Sequence, residues 1–247
     1  MKLSPREQAA LRESFHRMTP REKLDYIWTY FKGPILLVLI GMIVLGSVII
    51  HQLSKKDRLL YAGGLNVAVG EDLEYALNQG FVSAIGSDPK GAEVYYYWDL
   101  YLSDDPSAEN HEYSYASRMK LMATIQAKEL DLVLMNREAY DLMSASGYLL
   151  ALPELLAQDE ALYGQIAPYL ITNSVVLEDN SVEYNLGEAE EYVEIREDAV
   201  NGIDLSQFPL FRKAGFSGSV YLGIVGNSPR PEMCMDYIAY LVSADTE

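Results

Sequence analysis

The chain has 247 residues, 36 of them acidic and 19 basic, giving a formal net charge of −17 with histidine neutral. That balance excludes nucleic acid as a partner of the acidic part, whose carboxylates repel the phosphate backbone, and a single cysteine, Cys234, excludes an internal disulfide. The length is enough for one domain with a substantial core.

Residues 1–32 carry seven Lys or Arg side chains against four acids. Ser4-Pro5-Arg6-Glu7 and Thr19-Pro20-Arg21-Glu22 each place a hydroxyl at an N-cap, Pro at the first helical position and Glu where a capping box needs it, so two helix starts are predicted. Leu24, Ile27, Trp28 and Phe31 share one helical face, which fits a helix lying along a bilayer surface. Tyr26, Trp28, Tyr30 and Phe31 supply an interfacial aromatic belt, and Gly33-Pro34 is expected to bend the chain. From Gly33 to Leu53 there is no charged residue. At about 1.5 Å per residue this stretch spans roughly 31 Å, the thickness of a hydrocarbon core of about 30 Å. A transmembrane helix over 33–53 is predicted, with the lipid bilayer as its partner. The segment should be retained: a long polar stretch precedes it, and His51-Gln52-Leu53-Ser54 offers no A-x-A cleavage pattern.

Beyond a linker at 54–60 the charge inverts. Residues 59–247 carry nine basic and 31 acidic side chains. The positive-inside rule places residues 1–32 in the cytoplasm and 61–247 outside, making a single-pass plasma-membrane protein with an extracellular C-terminal domain.

In that domain Asn66-Val67-Ala68-Val69 reads as a short strand ending at Gly70, followed by a helix through Leu73, Ala76, Leu77, Phe81 and Ala84. Val94 to Leu102 alternates, with Val94, Tyr96, Trp98, Leu100 and Leu102 on one face and Tyr95, Tyr97, Asp99 and Tyr101 on the other. Ser103 to His111 is a polar loop, and Tyr115, Met119, Met122 and Ile125 mark a helix. Leu130 to Met135 is nearly all apolar, as a strand covered on both faces must be. Asn136 is placed to cap the next helix, which ends at Gly147. Pro153 to Leu170 reads as helical, Val175-Val176-Leu177 and Tyr192 to Ile195 as strands, Ser219 to Val225 as a buried strand, and Pro231 to Val242 as a closing helix. This alternation predicts an α/β domain: a mixed sheet with helices on both faces.

Leu130 to Tyr140, followed by Ser146-Gly-Tyr-Leu-Leu-Ala-Leu-Pro-Glu-Leu-Leu156, resembles the segment of bacterial extracellular solute-binding proteins in which a buried strand ends near the ligand cleft. Leu222-Gly-Ile-Val-Gly-Asn-Ser-Pro-Arg-Pro-Glu232 and Tyr237 to Val242 are similar to that family's returning strand, Asn-Ser turn and terminal helix. The resemblance implies a periplasmic-binding-protein-like fold. Only Ala157 to Gly218 is available for the second lobe, which must be reduced, and a transmembrane helix replaces the family's usual lipid-bearing cysteine.

Catalytic chemistry is sparse. His16, His51 and His111 form no zinc spacing with Cys234, and no Walker A, G-x-G-x-x-G or G-x-S-x-G motif occurs. Cys234, one turn from Ile238, reads as a buried helix residue. Glu188, Glu190, Glu191, Glu194, Glu197 and Asp198 lack calcium-loop spacing and read as a solvated face. No catalytic residue, metal or cofactor is expected. Tyr95, Tyr97, Trp98 and Tyr101 could stack on sugar or peptide groups, or simply pack. Trp98, Asn136 and Asn227 are the candidate ligand-binding residues, the asparagines because each follows a buried strand where open α/β sheets hold ligands. Two functions are carried forward: a membrane-anchored, non-enzymatic solute-binding-like module serving an ABC permease or receptor with a sugar, amino acid or peptide, and an accessory subunit of a membrane or cell-surface complex with no small ligand.

Overall fold

A Thr19 capping box opens the first described helix. The computed structural model describes residues 18–53, 56–105, 111–186 and 191–244, and the chain divides into two units at residue 55. Helix α1 (Pro20–Leu53) is continuous through Pro34. The Thr19 amide donates to a Glu22 carboxylate oxygen at 2.8 Å, and the Glu22 amide approaches Thr19 Oγ at 3.5 Å. Gly33-Pro34, expected to bend the chain, lies inside this helix without interrupting it; the Ser4 helix start lies outside the described residues. In α1 the apolar side chains from Leu36 to Leu45 are largely exposed. Among the described residues no helix is long and apolar enough to cross a membrane. Within this helix the described side chains are those of 20–25, 28–29 and 32–47.

The second unit is an α/β fold. Its strands are β1 (Asp57–Leu65), β2 (Ala92–Leu100), β3 (Leu132–Met135), β4 (Leu170–Asp179), β5 (Glu194–Asp204) and β6 (Tyr221–Ile224). They form one sheet in the order β2-β1-β3-β6-β5-β4. β1 runs parallel to β2 and β3, whereas β6 is antiparallel to β3 and β5, and β5 is antiparallel to β4. The sheet is thus mixed.

Helices cover both faces, as expected. The short α2 (Glu71–Tyr75) runs through a π-helical turn into α3 (Phe81–Ala84). These pack with α6 (Leu152–Leu156), α7 (Glu160–Ile166), α9 (Pro209–Ala214) and α10 (Pro231–Ser243) over Leu60, Ala62, Val94, Leu134, Ile203 and Leu222. The opposite face is covered by α4 (His111–Gln126) and α5 (Arg137–Ala145), through Leu121, Ile125, Tyr140 and Met143 against Leu65, Leu100, Val133 and Met135. Burial at roughly 25 cal/mol per Å² of apolar area makes these two layers the main stabilising term.

Three expectations need correction. The first strand spans Asp57–Leu65, so it starts inside the expected linker, and 66–69 is not strand. Asn66 turns the chain at φ 57, and its side chain bonds both ways to the backbone of Leu102. Gly63-Gly64 hid this strand because glycine weakens strand propensity. Gly64 is needed there, since a Cβ would lie 2.5 Å from the Trp98 ring. Second, the alternation of β2 breaks: a register shift after Tyr97 moves Leu100 to the face opposite Val94, Tyr96 and Trp98. Third, Pro153–Leu170 is two short helices and a 3₁₀ turn (Ala167–Tyr169), not one helix. Asp159 restarts the helix by accepting a hydrogen bond from the Leu162 amide at 2.9 Å. Residues 157–218 supply β4 and β5 to the common sheet, and residues 56–247 make one compact unit.

Candidate functional site

Strand direction decides which candidate residues can meet. Met135 pairs with Tyr221 and Leu132 with Ile224, so Asn136 and Asn227 leave the antiparallel strands at opposite ends of the sheet. They do not form one site. Asn136 caps α5, accepting the Ala139 amide at 2.9 Å. Asn227 is exposed and donates its Nδ2 to the Ile125 carbonyl at 2.8 Å, fastening the end of β6 to α4. Trp98 shares the Asn136 end. It stacks on Tyr96 with ring centroids 4.3 Å apart, and its indole N–H donates to Glu74 at 3.0 Å.

A groove of about 750 Å³ lies at the edge where the parallel strands end, lined by Gly70, Glu71, Asp72, Tyr75, Lys213 and Tyr240. Glu71, Asp72 and Lys213 are exposed, while the Tyr240 hydroxyl is committed to the Ala76 carbonyl at 2.8 Å. None of the three predicted ligand residues lines it.

The other end of the sheet holds a buried ion pair. Asp131, with no exposed side-chain surface, accepts Arg230 Nη1 at 2.9 Å, the Ser228 hydroxyl at 2.6 Å and the Tyr61 amide at 2.8 Å. Cys234 lies one turn into α10, where burial first and the Asp131 charge second push its thiol up to about 12. A thiol so shifted is a poor nucleophile at neutral pH. The Arg230 guanidinium sits 4.9 Å from the Tyr61 ring, Arg58 4.2 Å from Tyr95, and the Lys120 ammonium 5.3 Å from Tyr97. One face of each of these tyrosines is therefore occupied by a cation of the same chain. Among the described residues no group of His, Cys, Asp or Glu could hold a metal ion. Glu188 and Glu190 lie outside them.

Outside α1, a run of exposed apolar side chains lies along the β4–β5 hairpin and the segment that connects its strands. β5 pairs with β6 only at Ile203 and Asp204, so most of the hairpin continues past the sheet as a two-stranded ribbon. A short helix, α8 (Ser181–Leu186), sits near its tip. Leu177, Val182, Tyr184, Leu186, Tyr192 and Ile195 are 46–69% exposed. Residues 171–200 also carry nine acidic side chains and one basic. Sequence reasoning located the strand fragments and the acids but not the outward apolar residues. The signal was there in the apolar positions interleaved among the acids. No family model, curated protein or solved structure matches the chain.

Proposed function

We propose that this chain is a membrane-anchored, non-enzymatic binding module that docks onto another membrane or cell-surface protein through the β4–β5 hairpin. The observation that carries the reading is the exposure of six large apolar side chains, Leu177 and Ile195 on the hairpin strands and Val182, Tyr184, Leu186 and Tyr192 in the segment connecting them. Clustered exposed apolar residues rimmed by polar ones are a feature of protein-contacting surfaces. The proposed anchor is segment 33–53, and what supports it is the absence of any charged residue there in the sequence. The base-rich N-terminal segment favours a cytoplasmic start and an external acidic domain. A photo-crosslinking side chain at Leu186, in cells, should give one discrete protein adduct that a label at exposed Lys128 does not give. Absence of an adduct at both Leu186 and Leu177 would remove the docking reading.

The groove of about 750 Å³ favours a second reading, capture of a small solute for a permease, in the manner of a shortened solute-binding protein. Its volume lies in the range of about 300–1,000 Å³ usual for ligand sites. Glu71 and Asp72 would suit a cationic solute. A rise in melting temperature with an amino acid, sugar or peptide, removed by Asp72→Ala, would favour this reading.

A further inference from the structure

We infer that the outer edge of β4 takes up an extended, cationic, alternately apolar segment of the partner as an added strand; this rests on the docking reading above and specifies its geometry. β4 is a terminal strand of the sheet, with β5 on one side only. Its first half is covered. The Ser144 hydroxyl donates to the Ser174 carbonyl at 3.0 Å and Asn173 donates to Asp141 at 2.7 Å, tying α5 to β4. The Ser174 amide donates to Asn173 Oδ1 at 2.8 Å and its carbonyl accepts from Ser144, so both main-chain groups of Ser174 have side-chain partners, and alternation gives the N–H and C=O of Val176 the same direction, away from β5. The register supports this, with Ser174 opposite Asp198 and Val176 opposite Arg196, before a shift near Leu177. Among the described residues no second strand pairs there.

Beside Val176 the edge opens on a groove of about 480 Å³, lined by Leu142, Val176, Leu177, Glu178 and Asp179 with the Asp104–Arg118 pair. Both arginines at this groove are already paired, Arg118 with Asp104 at 2.8 Å and Arg196 with Glu194 at 2.6 Å. Glu178 has no ion-pair partner among the described residues. The free negative charge therefore asks for a cation, and Leu142 and Leu177 ask for apolar side chains at alternate positions. Natural edge strands usually carry Lys or Pro to block pairing. β4 has neither. Its own acids repel a second copy of the same edge while admitting a basic strand. Strand addition uses main-chain hydrogen bonds for affinity and alternate side chains for specificity, and this edge supplies both.

The test uses the full chain in lipid nanodiscs and the probe peptide Lys-Val-Lys-Val-Lys-Val-Lys-Val, with its Glu-Val counterpart as control. The Lys-Val peptide should bind with salt-sensitive affinity and slow hydrogen exchange at the Val176 amide by about tenfold or more, as a newly paired strand amide would. The Glu-Val peptide should do neither. Val176→Pro removes an outward donor, a substitution that edge strands accept, so it should leave the melting temperature unchanged and weaken Lys-Val binding by about tenfold. Equal binding to Val176→Pro, no protection at Val176 in the wild type, or protection confined to Val182–Leu186 would each overturn strand addition. The last outcome would leave docking through the hairpin standing, whereas the missing crosslinks described above would not.

Discussion

Removing Arg230 should destabilise the α/β unit far more than neutralising its partner Asp131, because burial of the pair is unequal. The Asp131 side chain is wholly buried, while that of Arg230 keeps 30% of its surface in solvent. In Arg230→Ala the carboxylate keeps the Tyr61 amide and the Ser228 hydroxyl but loses the counter-charge it has among the described residues. Stranding a buried charge in this way costs about 3–5 kcal/mol. In Asp131→Asn the amide oxygen can still accept from Tyr61, and Arg230 can turn toward water, so the loss should be closer to the roughly 1–2 kcal/mol of a weakened hydrogen-bond set. For a domain of this size each kcal/mol shifts the midpoint by about 2–4 °C, so Arg230→Ala should melt roughly 6–20 °C lower and Asp131→Asn roughly 2–8 °C lower. Thermal melts followed by circular dichroism on the full chain in detergent give both numbers. Equal shifts, or a larger shift for Asp131→Asn, would refute the argument that the buried carboxylate is the group at risk.

Cys234, with its thiol pushed up from 9.0 to about 12, holds about a thousandfold less thiolate than an ordinary cysteine at a given pH, so iodoacetamide at pH 8 should label it only after unfolding. Because that value is raised in the folded state, its contribution to stability is complete below the unfolded thiol value and declines as pH rises toward 12, which alkaline melts would register. Asn136→Ala removes the cap on α5 and should cost about 1 kcal/mol of stability, while leaving the Lys-Val peptide affinity unchanged; a loss of affinity without a loss of stability would restore Asn136 as a contact residue.

Local chemistry made much of the fold legible. Asn136 is a cap by its side-chain oxygen, Gly147 ends α5 at φ 68, and the apolar run at Leu132–Met135 is buried on both faces. Each of these is decided by a few neighbouring residues. What escaped was set by pairing across the sheet. Gly63 and Gly64 lie in a strand because Trp98 packs over Gly64 and because β1 has neighbours on both sides. The length of β4 and β5 was likewise unreadable from their mixed polar sequence, since each is stabilised mainly by the other.

The site was less legible than the fold for a related reason. Placing Asn136 and Asn227 together assumed that the strands before them run the same way, and the reversal at β6 separates them by the length of the sheet. That reversal also brings Arg230 to the start of β3, where Asp131 stood out as the one acid in an apolar run. A buried carboxylate in such a run should have been read as evidence for a distant cation, since an unpaired buried charge is too costly to keep. The hairpin follows the opposite logic. Its acids are solvated and cost nothing, so they reveal no internal partner, and the apolar side chains between them are exposed where folding gains nothing from them. On the docking reading proposed above, Leu177, Leu186 and Ile195 supply the apolar contact, and nine acids against one base within residues 171–200 set the charge its partner must carry.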